Sequence, residues 1–152
     1  MPMCRFRRLV IFARVFFVAA AASVATPVWA QPAGTGMVIV TITGLRSEKG
    51  QVKIAMFSSA ETWLGDSTKY NTTIDVDAPA VSWKINDVPY GDYGIAVFHD
   101  QNKNGKDKNF LGMPQEAYGF SNNLRVVLGP PKWDKSKFAV KGATTEVAIA
   151  VK

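Results

Sequence analysis

Apolar and polar residues alternate in a series of short runs along this chain. Val38, Val40 and Ile42 share one face over residues 37–43, and Val52, Ile54 and Met56 do so over 51–57. Val147, Ile149 and Val151 repeat the pattern over 144–151. A period of two is the side-chain repeat of a half-buried strand, so each run predicts one. Further strands are predicted over 72–76, 80–85, 93–99 and 137–140. Gly44 to Gly50, Pro79 and Pro89-Tyr90-Gly91 punctuate them, since Pro removes a ladder donor and Gly permits tight turning. Helical spacing is confined to one turn over 59–64, where Trp63 and Leu64 are expected to close an open end of the core. Residues 112–135 read as irregular. About seven short strands in one domain predict an all-β fold, an antiparallel β-sandwich of immunoglobulin-like or transthyretin-like form.

The N-terminus changes that picture. Arg5, Arg7 and Arg8 precede the apolar stretch 15–25, and Val28-Trp29-Ala30 puts small residues at the −3 and −1 positions before Gln31. That is the pattern of a secretory signal peptide over 1–30, cleaved near Ala30. Arg14 interrupts the apolar run, which disfavours a membrane-spanning helix of about 20 residues. Cys4 stands too far upstream to be a lipoprotein cysteine. Residues 31–36 then form a flexible lead and 37–152 the sandwich domain. The expected location is the periplasm or the exterior, with no stable membrane insertion after cleavage.

Charge follows from the same division. Four of the 18 basic residues lie in 1–30 and none of the 12 acidic ones, so the remainder carries 14 against 12, a charge of +2. The basic balance of the whole chain is therefore a targeting feature, and no nucleic-acid partner is implied. The single cysteine leaves with the signal. Stability must then come from a core or a bound ion rather than a disulfide.

Two motifs stand out. Val88-Pro89-Tyr90-Gly91-Asp92-Tyr93-Gly94-Ile95-Ala96-Val97 is similar to an element of transthyretin-like and carboxypeptidase-regulatory-like sandwiches, in which Gly-x-Tyr turns into a strand and lays the Tyr over a corner. The second runs His99-Asp100-x-Asn102-x-Asn104-Gly105-Lys106, then Asn109-Phe110-Leu111-Gly112-Met113-Pro114-x-Glu116-x-Tyr118-Gly119-Phe120-Ser121-Asn122. Together they resemble the DUF2141 family, exported bacterial proteins of unknown function. The likeness spans about Gly36 to Val151 and is densest over 88–123. It departs from the family pattern Asn-Gly-Lys-Leu-Asp, because Asn104-Gly105-Lys106-Asp107 lacks the apolar residue. The resemblance implies a fold and a location but brings no activity with it.

The Asx-rich stretch admits two readings. Calcium takes six to eight hard oxygens. Asp100, Asn102, Asn104 and Gly105 fill positions 1, 3, 5 and 6 of a calcium loop, with the Lys106 carbonyl at position 7. Asp107 or Glu116 would add a second carboxylate. Position 12 is Leu111 rather than Glu, so the helix-loop-helix form of the motif fails. The other reading is a metal-free turn, because Asn and Asp side chains mimic backbone turns unaided. Lys103, Lys106 and Lys108 argue for the turn unless they point outward.

Other chemistry is sparse. His99 is the only histidine, which excludes a multi-histidine zinc site. Ser121, His99 and Asp100 could be drawn as a triad, but adjacent strand residues face opposite ways. Glu116 with Asp100 could be drawn as a glycosidase-like carboxylate pair. Tyr118, Phe120 and Trp133 either offer a stacking surface for a ligand or pin the irregular region to the sandwich. The expected function is a non-enzymatic binding or structural module of the cell envelope, with an envelope protein or a glycan as partner. The alternative is a carbohydrate-binding or glycan-hydrolysing protein that uses Trp133 and Tyr118 with Glu116 and Asp100.

Overall fold

The computed structural model describes residues 34–66, 68–105, 116–125 and 129–152. The predicted signal segment, the first half of the lead, Lys106 and Asp107 lie outside them. Among the described residues eight strands form: β1 Thr35–Thr43, β2 Gln51–Phe57, β3 Tyr70–Asp75, β4 Val81–Pro89, β5 Gly91–Asp100, β6 Ala117–Phe120, β7 Phe138–Val140 and β8 Thr144–Ala150. They make one sheet in the order β4-β1-β8 and a second in the order β3-β2-β5-β6, with β7 paired to β5. The expected all-β sandwich is present.

Its interior follows the alternation. Val38, Val40 and Ile42 of β1 face Val52, Ile54 and Met56 of β2, and Ile95 and Val97 of β5 complete the layer. All eight are at most 3% exposed. Fully burying one such side chain contributes about 1.5–3 kcal/mol, so this layer is the main source of stability. Tyr93 closes the corner as its motif predicts, donating its hydroxyl to the Pro89 carbonyl four residues back at 2.8 Å.

Three features depart from expectation. The β1–β8 pair is parallel, with Val40 opposite Val147, inside an otherwise antiparallel structure. Residues 59–64 form a turn rather than a helical turn, held by the Gly65 N–H donating to the Thr62 carbonyl at 2.9 Å. The region read as irregular contains β6, a 3-10 turn at Ser121–Asn123 and a four-residue helix α1, Trp133–Ser136. None of the described helices is long and apolar enough to cross a membrane.

Candidate functional site

β5 reaches one end of the sandwich at His99 and Asp100, and the alternation of the strand separates them. His99 continues the inward row of Tyr93, Ile95 and Val97, whereas Asp100 continues the outer row of Gly94, Ala96 and Phe98. Both are 0% exposed. The His99 Nε2 lies 2.9 Å from the Lys49 carbonyl, so Nε2 carries the proton, and Nδ1 has no hydrogen-bond partner among the described residues.

The Asp100 carboxylate organises the loop that follows it. Its Oδ1 accepts the Asn104 N–H at 3.1 Å, and its Oδ2 accepts the Gly105 N–H at 2.9 Å and the Gln51 amide at 3.1 Å. Lys53 brings its ammonium to 3.5 Å from Oδ2. Lys103 and Gly105 take left-handed backbone, which curls the loop around the carboxylate. Burial pushes the Asp100 carboxyl up. The Gly105 N–H, the Gln51 amide, the Asn104 N–H and the Lys53 charge together outweigh it, so the group ends below the usual carboxylate range. Asn102 adds its side-chain oxygen to the Asn104 N–H at 3.0 Å. Lys103 reaches away to Asp75 at 2.6 Å.

Glu116 meets the same loop from the segment that leads into β6. Its carboxylate accepts the Gln101 N–H at 2.5 Å and lines an open cleft with Arg46, Gln101 and Asn102. Asp100, Asn102, Asn104 and Glu116 are thus at the same end of the fold, each with a backbone donor or a place in the turn. The described residues contain no group of three or more His, Cys, Asp or Glu side chains placed to hold a metal ion.

The drawn triad does not assemble. The Ser121 hydroxyl accepts the Ile95 N–H at 3.0 Å and donates to the Ser136 carbonyl at 2.5 Å. Ile95 is four residues along β5 from His99, about 13 Å at strand rise. The next residues continue this brace. Asn122 donates to the Lys135 and Lys137 carbonyls, and Asn123 exchanges hydrogen bonds with the backbone of Ala148 and Ala150 on β8. Asn122 and Asn123 both have positive φ, which Asn tolerates better than most residues. The Ser-Asn-Asn segment therefore ties β5, β8 and the α1 segment together.

The aromatic residues form a chain across the outer face of the larger sheet. Tyr118 meets Phe120 at 5.9 Å between centroids, Phe120 meets Trp63 at 6.1 Å, and Trp63 meets Trp133 at 5.7 Å. Phe57 joins at 5.4 Å from Trp63. Trp63 is the hub: its indole N–H donates to the Pro131 carbonyl at 2.8 Å, and its ring lies against Gly94. Rather than closing the open end of the core, Trp63 covers the back of the sheet. Tyr118, Phe120 and Trp133 thus pin the connecting segments, while Tyr118 and Trp133 stay half-exposed.

Sequence reading missed Gln51, Lys53, Arg46 and Trp63 at these sites. The alternation of β2 places Gln51 and Lys53 on the outer face beside Asp100 and Phe98, but strand pairing is needed to find the partners.

Neither the curated proteins nor the solved structures offer a match to this chain. A family model does match, over residues 40–148, described as an uncharacterized protein conserved in bacteria (DUF2141). With most of the two sheets inside that match, the chain belongs to the DUF2141 family.

Proposed function

We propose that this chain is an exported, non-enzymatic β-sandwich module of the cell envelope, released after Ala30 and serving a binding or structural role. One observation carries the reading. The adjacent acid–base side chains His99 and Asp100 are both fully buried, face opposite sides of β5, and are engaged by backbone groups. A general acid or base must reach the proton it moves, within about 3 Å or through one water, and buried side chains engaged by the frame support a scaffolding role instead. The partner is an envelope protein or a glycan. The test is a glycan array followed by a hydrolysis panel on the purified protein. Retention without turnover is expected, and turnover lost in Glu116→Gln would overturn the reading.

Calcium stabilisation is a second reading, favoured by the oxygen-bearing side chains of Asp100, Asn102 and Asn104 within one six-residue turn. Lys53 competes with it, since its ammonium already faces Asp100. Calcium at 100 times its dissociation constant would add about 2.7 kcal/mol to the folded state. The expected result is a melting temperature that rises with calcium, falls back with chelator, and rises further in Lys53→Met. Magnesium should do less, because it demands tighter octahedral geometry. A melting curve unmoved by calcium in both proteins would reduce the loop to a hydrogen-bonded turn.

A further inference from the structure

The end of the sandwich away from Asp100 carries a cleft of about 420 Å³ that shares only Trp133 with the candidate site described above. Tyr90 and Trp133 line it with half-exposed rings, and Glu61, Asp92, Ser58 and Ser59 supply oxygens. Its size suits a small ligand, since such sites run from about 300 to 1,000 Å³. Tyr93 also borders it, but its hydroxyl is committed to the Pro89 carbonyl.

We infer that this cleft is a saccharide-binding site, in which Tyr90 and Trp133 take the C–H face of a pyranose and Asp92 and Glu61 accept its hydroxyls. The inference rests on the binding-module reading and names its ligand. Three observations choose the class. The lining is polar and open, which suits a ligand that keeps most of its hydroxyls in water. The rings are amphipathic aromatics, the type that serves surfaces wet on one side and apolar on the other. The charge is nearly balanced, because Lys137 holds the Asp92 carboxylate at 3.0 Å and Glu61 is the other carboxylate among the lining residues. A polyamine would find one exposed carboxylate here, and exposed ion pairs are weak. A sugar finds acceptors on Asp92 and Glu61 and a hydroxyl on Ser58, while the Ser59 hydroxyl is shared with Thr62. Charge-assisted hydrogen bonds to neutral hydroxyls are the stronger kind.

The experiment titrates the purified protein with the β-1,4 and α-1,4 tetrasaccharides of glucose, the tetrasaccharide of N-acetylglucosamine, and spermine. Calorimetry and amide chemical shifts are the readouts. At least one tetrasaccharide should bind saturably and shift Tyr90, Asp92 and the Trp133 indole. Asp92→Asn should weaken it about tenfold, which is the loss of one charged acceptor at 1.4 kcal/mol per decade. Glu61→Gln should weaken it less, and Tyr118→Ala at the far end should leave it unchanged. Lys137→Met breaks the same ion pair while keeping the carboxylate, so its binding should stay close to the parent's. Saturable binding of spermine alone, shifts at the Asp100 end, or equal losses in Lys137→Met and Asp92→Asn would overturn the proposal. So would no binding at all by the tetrasaccharides, an outcome that leaves a protein partner for the module intact.

Discussion

Gly50→Ala should destabilise the fold by about 2–4 kcal/mol, adding a left-handed strain of about 1 kcal/mol to a backbone overlap of about 1–3 kcal/mol. Gly50 has φ +86, and a Cβ there would lie 2.2 Å from the Asp100 carbonyl oxygen and 2.5 Å from the Gln101 Cα. Both neighbours are main chain, so neither can swing aside as a side chain would. The turn entering β2 is thereby pressed against the start of the Asp100 loop, and the substitution must push the two apart. Gly129→Ala provides the control. Its φ is +71 but no described residue lies within 4 Å of where a Cβ would stand, so the strain acts alone. Denaturant unfolding of the two variants should separate them by roughly the overlap term of 1–3 kcal/mol. Equal losses would mean that the turn and the loop are not in contact in solution.

That contact also shows what sequence reading could and could not reach. Alternation revealed β1, β2 and β8 because one face of each is buried and the other largely polar. β6 breaks this rule on both faces. Its inward positions are Ala117, which is buried in the core, and Gly119, where a Cβ would come within 2.8 Å of Ile149 Cγ2, so no large apolar residue marks the inner face. Its outward positions are Tyr118 and Phe120, apolar because Phe120 packs against Trp63. A strand with only Ala and Gly inside and aromatics outside has no period-two signature, and it read as irregular. The parallel β1–β8 pair joins strands from the two ends of the domain, and no local pattern reports such a partnership. α1, at four residues, is too short for a helical period to register.

The candidate site was legible in the same partial way. The spacing of Asp100, Asn102 and Asn104 announced a loop ordered by side-chain oxygens, and all three do contribute oxygens or backbone to one turn. The identity of their partners was hidden. Gln51 lies 49 residues from Asp100 in sequence and meets it only because β2 and β5 pair in register, Gln51 opposite Asp100. Trp133 and Tyr118, which sequence reading grouped with Glu116 and Asp100 as a sugar site, are drawn apart. Tyr118 stays on β6 opposite Phe98, while Trp133 moves to the cleft at the other end.

Asp100→Ala should cost about 2–3 kcal/mol, the loss of a charged acceptor shared by several donors, each partly able to recover a water. For a domain of this size that lowers the melting temperature by about 6–18 °C, taking about 3–6 °C per kcal/mol between the small and large domain ranges. Lys53→Met tests which partners matter. Lys53 is 37% exposed, so its ion pair is screened and its removal should cost well under 1 kcal/mol. If Lys53→Met matched Asp100→Ala, the ion pair rather than the captured N–H groups would hold the loop. The same carboxyl sets a pH dependence. Its folded pKa lies below the unfolded value, so the unfolded chain binds the proton more tightly and ionisation favours folding. The contribution is complete above the unfolded carboxyl value of about 3.9 and is lost as pH falls through the lower folded value. Asp100→Asn cannot titrate, so its stability should fall less steeply than the parent's below about pH 4. Parallel acid limbs for the two proteins would place the proton-linked stability elsewhere and leave the Asp100 turn held by hydrogen bonds indifferent to its charge.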